Sequence, residues 1–299
     1  MKKAILIVNP SSGNEEAQEY EKLAKEKLAN IFDEVEVLHT EEGGDATTFA
    51  RQAVEEKVDS VFAMGGDGTV NEVISGLAEQ EYRPKFGFFP LGTVNDLARS
   101  LNISMDPVEA IAELDLDRRM SLDIGKVNDD YFMNIVAVGG IPEAISDVNV
   151  EEKTKFGKLA YFTSGFKQVI KDESYHFDLD IEGEKRTVES SAVVVVLTQT
   201  IGGYSHIVPD AKPDDGKMYL LYLKNQNIAD MLKSVPDILK GIDHSTDYIG
   251  YESFTEGSLE VQEDVDLHPS VDGDEGPGLP LQFKILPQHL EVYNGPEDK

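Results

Sequence analysis

The chain has 299 residues, no cysteine, and 27 Lys and Arg against 57 Asp and Glu, a formal charge of −30. That length suits one large domain or two modest ones with a core that needs no staples, and the missing cysteine excludes disulfides, thiolate zinc sites and a cysteine nucleophile. The acidic balance argues against a nucleic-acid partner, which is held by neutralising phosphates, and against electrostatic docking on an anionic bilayer.

In chain order, residues 4–8 read as a buried strand that stops at Asn9 and Pro10. The run is too short for a signal peptide, and the apolar run 192–197 is far below the roughly 20 residues that span a bilayer, so a cytoplasmic protein is expected. Residues 15–30 predict a helix, 35–38 a strand, 46–57 a helix capped by Asp45, and 60–64 a strand running into Gly65 and Gly66. A helix over 69–79, a strand over 86–89 and a helix over 94–101 follow. Alternating strands and helices imply a mostly parallel sheet covered on both faces, with ligands beyond the carboxyl ends of its strands.

Near Leu122 the pattern changes. Strands are predicted at 122–127, 131–138, 176–181, 185–189, 192–198, 217–223, 248–253, 258–261 and 281–285, with helices at 158–170 and 228–239. This reads as a second, mainly antiparallel β-sandwich domain over 122–285. The first domain would hold 1–121 together with the C-terminal segment 286–299. No internal repeat is visible, and residues 241–283 contain no Lys or Arg, as expected of solvated strand faces.

Three strand-to-helix junctions carry chemistry. Asn9, Pro10, Ser11, Ser12 and Gly13 follow the first strand, and such small residues let backbone N–H groups converge on an anion, although an ordinary turn also fits. Gly65, Gly66, Asp67, Gly68, Thr69, Val70, Asn71 and Glu72 follow the third. Their glycines allow close backbone approach, and the helix start offers free N–H groups and a positive dipole end. Asp67 beside a phosphate makes sense with a magnesium ion between them. The spacing is neither GxxxxGK[ST] nor GxGxxG. Pro90 to Ala98 is the third junction and adds Thr93 and a second carboxylate, Asp96.

Together these segments resemble the catalytic domain of the diacylglycerol kinase family, especially its soluble bacterial lipid kinases. The resemblance runs over essentially the whole chain and includes Val271, Asp272, Gly273 and Asp274. It implies an α/β nucleotide-binding domain and an ATP site in the cleft between domains. The matching ATP contacts are Asn9, Pro10, Ser11, Ser12, Gly13, Thr40, Gly66, Asp67, Gly68, Thr69, Val70, Asn71, Glu72 and Thr93. It implies a catalytic magnesium at Asp67 and Asp96, an acid of the cleft at Asp123, and a catalytic base at Asp272 or Asp274. Read alone, residues 208–217 look like an Asp-Gly hairpin turn. The resemblance makes them a structural magnesium site formed by the Asp215 side chain and the carbonyls of Lys212 and Lys217.

The implied reaction is ATP- and magnesium-dependent phosphorylation of a diacylglycerol-like lipid, in phospholipid metabolism, by a protein that visits the membrane transiently. Phe156, Tyr161, Phe162 and Phe166 would line the lipid cleft or simply pack the core, and the family often forms homodimers. This chain has Asn14 and Ser164 where many active relatives carry lysine, with Arg99, Lys126, Lys158 and Lys167 as the alternative cations. Those departures support a second reading, a nucleotide-binding regulatory protein without kinase activity. A third, an NAD kinase-like enzyme, fits Gly65 to Thr69 but not Pro90 to Ala98 or Val271 to Asp274.

Overall fold

The computed structural model describes residues 1–12, 17–139, 174–224 and 240–296. The predicted helices 158–170 and 228–239, the aromatic set Phe156, Tyr161, Phe162 and Phe166, and Gly13, Asn14, Lys158, Ser164 and Lys167 lie outside the described residues.

Four strands form the parallel part of a ten-stranded sheet: β1 (Lys3–Val8), β2 (Glu34–His39), β3 (Ser60–Gly65) and β4 (Lys85–Pro90), in the order β2-β1-β3-β4. Their alternate faces pack two apolar layers. Helices α2 (Asp45–Glu55) and α3 (Asp67–Leu77) cover one face through Ala46, Ala50, Ala53, Val70, Val73, Ile74 and Leu77. Helix α1 (Ala17–Ala29) and the short α5 (Pro107–Glu113) cover the other. Small residues let α2 and α3 touch: a Cβ on Gly76 would lie 2.6 Å from that of Ala50. Opposite, Phe62 stacks between Phe89 and Tyr293, with centroids at 5.8 and 5.6 Å.

Two expectations about helix starts are corrected. Asp45 does not cap α2: Gly44, left-handed at φ 89°, precedes the helix, and the Asp45 carboxylate accepts the N–H groups of Glu41 and Glu42 instead. The helix expected over 94–101 is α4 (Asp96–Ser100), because Asn95 is held left-handed at φ 49°. Asp106 caps α5 from Val108 and Glu109 N–H, with Pro107 supplying the preset first turn.

Strand β5 (Arg119–Val127) runs antiparallel to the longest strand, β16 (Leu281–Tyr293). The sequence predicts only 281–285 of β16, because Pro287, Gln288 and His289 break the alternation. The chain passes them in a bulge, with Gln288 at φ 49°, and resumes pairing at Leu290. One end of β16 pairs with β4 and the other with β13 (Glu256–Val261), so the first sheet continues through β8 (Tyr175–Ile181) to β9 (Glu184–Ser190). The strand expected over 131–138 is two, β6 (Asp130–Phe132) and β7 (Ile135–Gly139), the first in this sheet and the second in the other. That second sheet is antiparallel. It contains β7, β10 (Ala192–Val196), β11 (Met218–Leu223), β12 (Ile249–Phe254), β14 (Ser270–Val271) and β15 (Asp274–Glu275), and it encloses a core with Phe177, Phe254 and Phe283.

The expected α/β unit with a β-rich second unit is therefore present, joined by continuous sheet. No helix among the described residues is long and apolar enough to cross a membrane.

Two histidines make opposite predictions about acid. His176 lies 2.7 Å from the Glu263 carboxylate, which raises its pKa. His289 is half-buried and its Nε2 accepts the Glu79 N–H at 2.8 Å, so burial and then Arg83 lower its pKa. In a two-dimensional NMR titration His176 titrates above 6.5 and His289 below it. A depressed pKa contributes stability that is present above the unfolded value and lost as pH falls through the folded one. His289 accordingly weakens the α3 end in acid, while the His176 contribution is present in acid and lost as pH rises.

Candidate active site

Sheet order places the carboxyl ends of β1, β3 and β4 side by side, and all three predicted junctions open there. Asn9 ties the first to the second. Its Oδ1 accepts Ser11 N–H and Ser11 Oγ–H, its Nδ2 donates to Thr69 Oγ1 at 3.2 Å, and its N–H donates to Met64 O. Thr40 follows β2 at the same edge, with its N–H on Val8 O. Pro10 and Ser11 are exposed and Ser12 half-buried.

The second and third junctions meet backbone to backbone. A Cβ on Gly92 would lie 2.8 Å from Gly66 Cα, and one on Gly65 would lie 2.5 Å from Thr69 Oγ1. Asn95 closes the third loop by accepting Gly92 N–H and donating to Gly92 O at 2.7 Å. Thr93 stands exposed at its tip. Helix α3 starts against this contact, so its first-turn N–H groups and positive dipole end face the edge. Not every motif side chain faces that edge. Val70 is buried in the core, and the Glu72 carboxylate accepts Ala46 N–H at the start of α2.

Two carboxylates are packed into this edge. Asp67 accepts Asn95 N–H at 2.8 Å and Asp96 N–H at 3.1 Å. Asp96 accepts Gly202 and Gly203 N–H, both at 2.7 Å, from the tight turn between Ile201 and Tyr204. Burial raises both pKa values. Backbone N–H groups and the Arg99 charge oppose it, and Asp67 adds to the shift at Asp96. Neither carboxylate has all four of its lone-pair sites filled by N–H donors, so the pair could take a hard dication, bound directly or through water, that would relieve the mutual repulsion. Arg99 is anchored by Nε on Val94 O, whereas Lys126 pairs with Glu79 just beyond the far end of α3.

Above the loops sits the hairpin β14–β15. Its two-residue turn, Asp272 at φ 50° and Gly273 at φ 100°, is the I′ type that an Asp-Gly pair favours. Asp272 Oδ2 accepts Asn71 Nδ2–H at 3.0 Å and Met133 N–H at 2.8 Å. Its Oδ1 accepts Asn134 N–H at 2.9 Å and Ile135 N–H at 2.8 Å. Burial pushes its carboxyl up to about 7 against the three backbone donors, with a further push from the Asp67 charge. Asp274 differs. It is exposed, and its Oδ2 would be 3.5 Å from a Cβ placed on Gly68. An exposed carboxylate that reaches a phosphate-type loop can take a proton from an incoming hydroxyl.

Asp123, on β5, bridges two further segments. Its carboxylate accepts Gly216 and Gln288 N–H, both at 2.6 Å, and its N–H donates to Pro213 O, so it joins the 208–217 turn to the β16 bulge. Burial raises its pKa, and Asp215 and Asp214 add to the effect. Asp215 closes its own turn, accepting Lys212 and Lys217 N–H and lying 2.7 Å from Tyr219 Oη. No three His, Asp or Glu side chains converge on one point among the described residues. A magnesium ion at this turn would therefore draw its other ligands from carbonyls and water beside one carboxylate. The Lys212 and Lys217 carbonyls belong to the same turn, and Lys212 O accepts the Asp215 N–H.

Sequence reasoning missed Asn134, Gly202, Gly203 and the roles of Asn71 and Asn95. The only local signals were the turn dipeptides Gly202-Gly203 and Asp272-Gly273.

Residues 3–127 match the family described as the diacylglycerol kinase catalytic domain, and residues 135–294 match the YegS C-terminal NAD kinase beta sandwich-like domain. A Streptococcus pneumoniae serotype 4 protein named as a candidate lipid kinase is 41% identical over 298 residues, 100% of each chain. A diacylglycerol kinase of Staphylococcus aureus strain MRSA252 is 33% identical over 292 residues, 98% of this chain and 92% of that one. A solved structure of a candidate diacylglycerol kinase from Bacillus anthracis superposes with a TM-score of 0.85 at 28% identity, covering 99% of this chain and 97% of the other.

Proposed function

The chain belongs to the diacylglycerol kinase family, and from that premise we propose that it is an ATP- and magnesium-dependent lipid kinase acting on diacylglycerol or a related lipid. The observation that carries the reading is Asp274, exposed and close to Gly68 on the loop that would hold the transferred phosphate. The acceptor oxygen bonds to the γ-phosphorus as the bond from that phosphorus to the β–γ bridging oxygen breaks. ADP leaves with the bridging oxygen's electron pair, and Asp274 takes the hydroxyl proton.

The rest of the edge binds and orients. Asn9, Ser11, Ser12, Thr40 and Thr93 border the nucleotide, and the N–H groups of Gly68 and Thr69 face its phosphates at the start of α3. Asp67 and Asp96 would hold the magnesium, which when bound neutralises charge on the β- and γ-phosphates. Asp215 and the carbonyls of Lys212 and Lys217 would hold a second, structural ion. The protein would work from the cytoplasm, meeting its lipid at the bilayer surface in phospholipid metabolism.

The test is transfer from γ-labelled ATP into mixed micelles of a total lipid extract, with magnesium and with a chelator. The expected result is a labelled lipid monophosphate that requires magnesium and whose chromatographic identity names the acceptor. Label confined to soluble products overturns the lipid assignment, and no transfer while nucleotide binds overturns the kinase.

A further inference from the structure

We propose that Asp272 is a positioning residue: its carboxylate ties the phosphate-loop helix to the crossing between the two sheets and so fixes Asp274 over Gly68. The inference rests on the kinase reading for its activity readouts and on geometry for the rest.

A carboxylate offers about four lone-pair sites, and at Asp272 all four hold N–H donors, from Asn71, Met133, Asn134 and Ile135. A general base must keep a lone pair for the proton that it receives, so Asp272 would have to give up one of these bonds to act as one. Asp274 is exposed and has no such set of donors among the described residues.

The donors come from two separate places. Asn71 sits on α3, one turn after Asp67. Met133 and Asn134 lie between β6 and β7, where the chain leaves the ten-stranded sheet and enters the six-stranded one. The hairpin completes the junction: Asp272 N–H donates to Ile135 O at 2.8 Å, and Val271 pairs with Val136. One side chain therefore sets the spacing between the phosphate loop, the crossing and the turn that carries Asp274. Asp272 holds a left-handed backbone at φ 50°, which Asp tolerates and most residues resist.

The test uses Asp272→Asn, Asn71→Asp and the double variant, each compared with Asp274→Asn. In Asp272→Asn an amide NH2 meets the Asn71 and Met133 donors. Displacing the base by about an ångström should cost roughly tenfold to hundredfold in kcat with the KM for ATP little changed. Asn71→Asp should lose a similar factor by charge repulsion. In the double variant the amide and the carboxylate exchange places, so the hydrogen bond between the two positions re-forms with its direction reversed. Its kcat should therefore exceed the product of the two single losses by about tenfold. Amide hydrogen exchange at residues 133–135 should accelerate in Asp272→Asn, and this readout needs no activity.

Additive losses with unchanged exchange overturn the tie. An Asp272→Asn loss equal to that of Asp274→Asn, without partial rescue, would make Asp272 the base and overturn the division of roles. Absence of lipid phosphorylation by the unmodified protein would instead overturn the kinase reading, leaving the tie to be judged by exchange.

Discussion

Asp274→Asn loses roughly a hundredfold to ten-thousandfold in kcat, the range a general base contributes, while ATP binds as before. The reason is geometric. Asp274 lies exposed by Gly68 at the start of α3, and among the described residues no side chain depends on it for a partner, so the fold and the nucleotide site should survive the substitution. Asparagine keeps the shape and a carbonyl acceptor and removes only the capacity to take a proton. Asp274→Glu, one methylene longer, keeps that capacity and should retain turnover within about tenfold. Calorimetric titration with ATP beside steady-state transfer to diacylglycerol separates the two effects. Equal loss of binding and turnover would place Asp274 in nucleotide binding instead.

The second large effect concerns the meeting of two loops. Gly92→Ala puts a methyl 2.6 Å from Asn95 Oδ1 and 2.8 Å from Gly66 Cα. Neither neighbour yields easily: Asn95 is locked by paired bonds to Gly92, and Gly66 is backbone at the start of α3. Overpacking of this kind costs about 1–3 kcal/mol, and separation of the loops carries that cost into the phosphate site. ATP affinity should fall by roughly tenfold to hundredfold, since about 1.4 kcal/mol is a factor of ten. Gly43→Ala is the control, because a Cβ there meets nothing within 4 Å. Calorimetry on both variants checks the difference, and equal affinity in the two would mean that the Gly66–Gly92 contact does not shape the nucleotide site.

What can be read from the sequence follows the range of the interactions. Strand and helix periods, turn dipeptides and loop composition are local, so the α/β unit, the β-rich unit and the three junctions are legible in the sequence alone. Helical spacing also explains why Val70 belongs to the core, since Val70, Val73, Ile74 and Leu77 form one buried stripe. The motif resemblance assigns it a nucleotide contact instead. The bulge in β16 escapes because Pro287, Gln288 and His289 look like an end, whereas pairing with β5 on both sides carries the strand through them.

The ties across the cleft escape for a different reason. Asn71 and Asp272 are 201 residues apart, and Asp96 and Gly202 are 106 apart. No periodicity spans such distances. Both contacts have the same design: a tight turn of the second unit meets a polar side chain near the start of a helix in the first. Asp123, which the resemblance puts among the cleft acids, is likewise explained only by its partners Gly216 and Gln288.

The most direct test of the whole account is label transfer from γ-labelled ATP to diacylglycerol in defined mixed micelles, run with the unmodified protein in magnesium. Lipid kinase activity predicts a labelled phosphatidic acid whose appearance stops when magnesium is chelated. Tight ATP binding with no labelled lipid at any micelle composition would contradict it, and would leave the cleft a nucleotide-binding site without the transfer assigned to it.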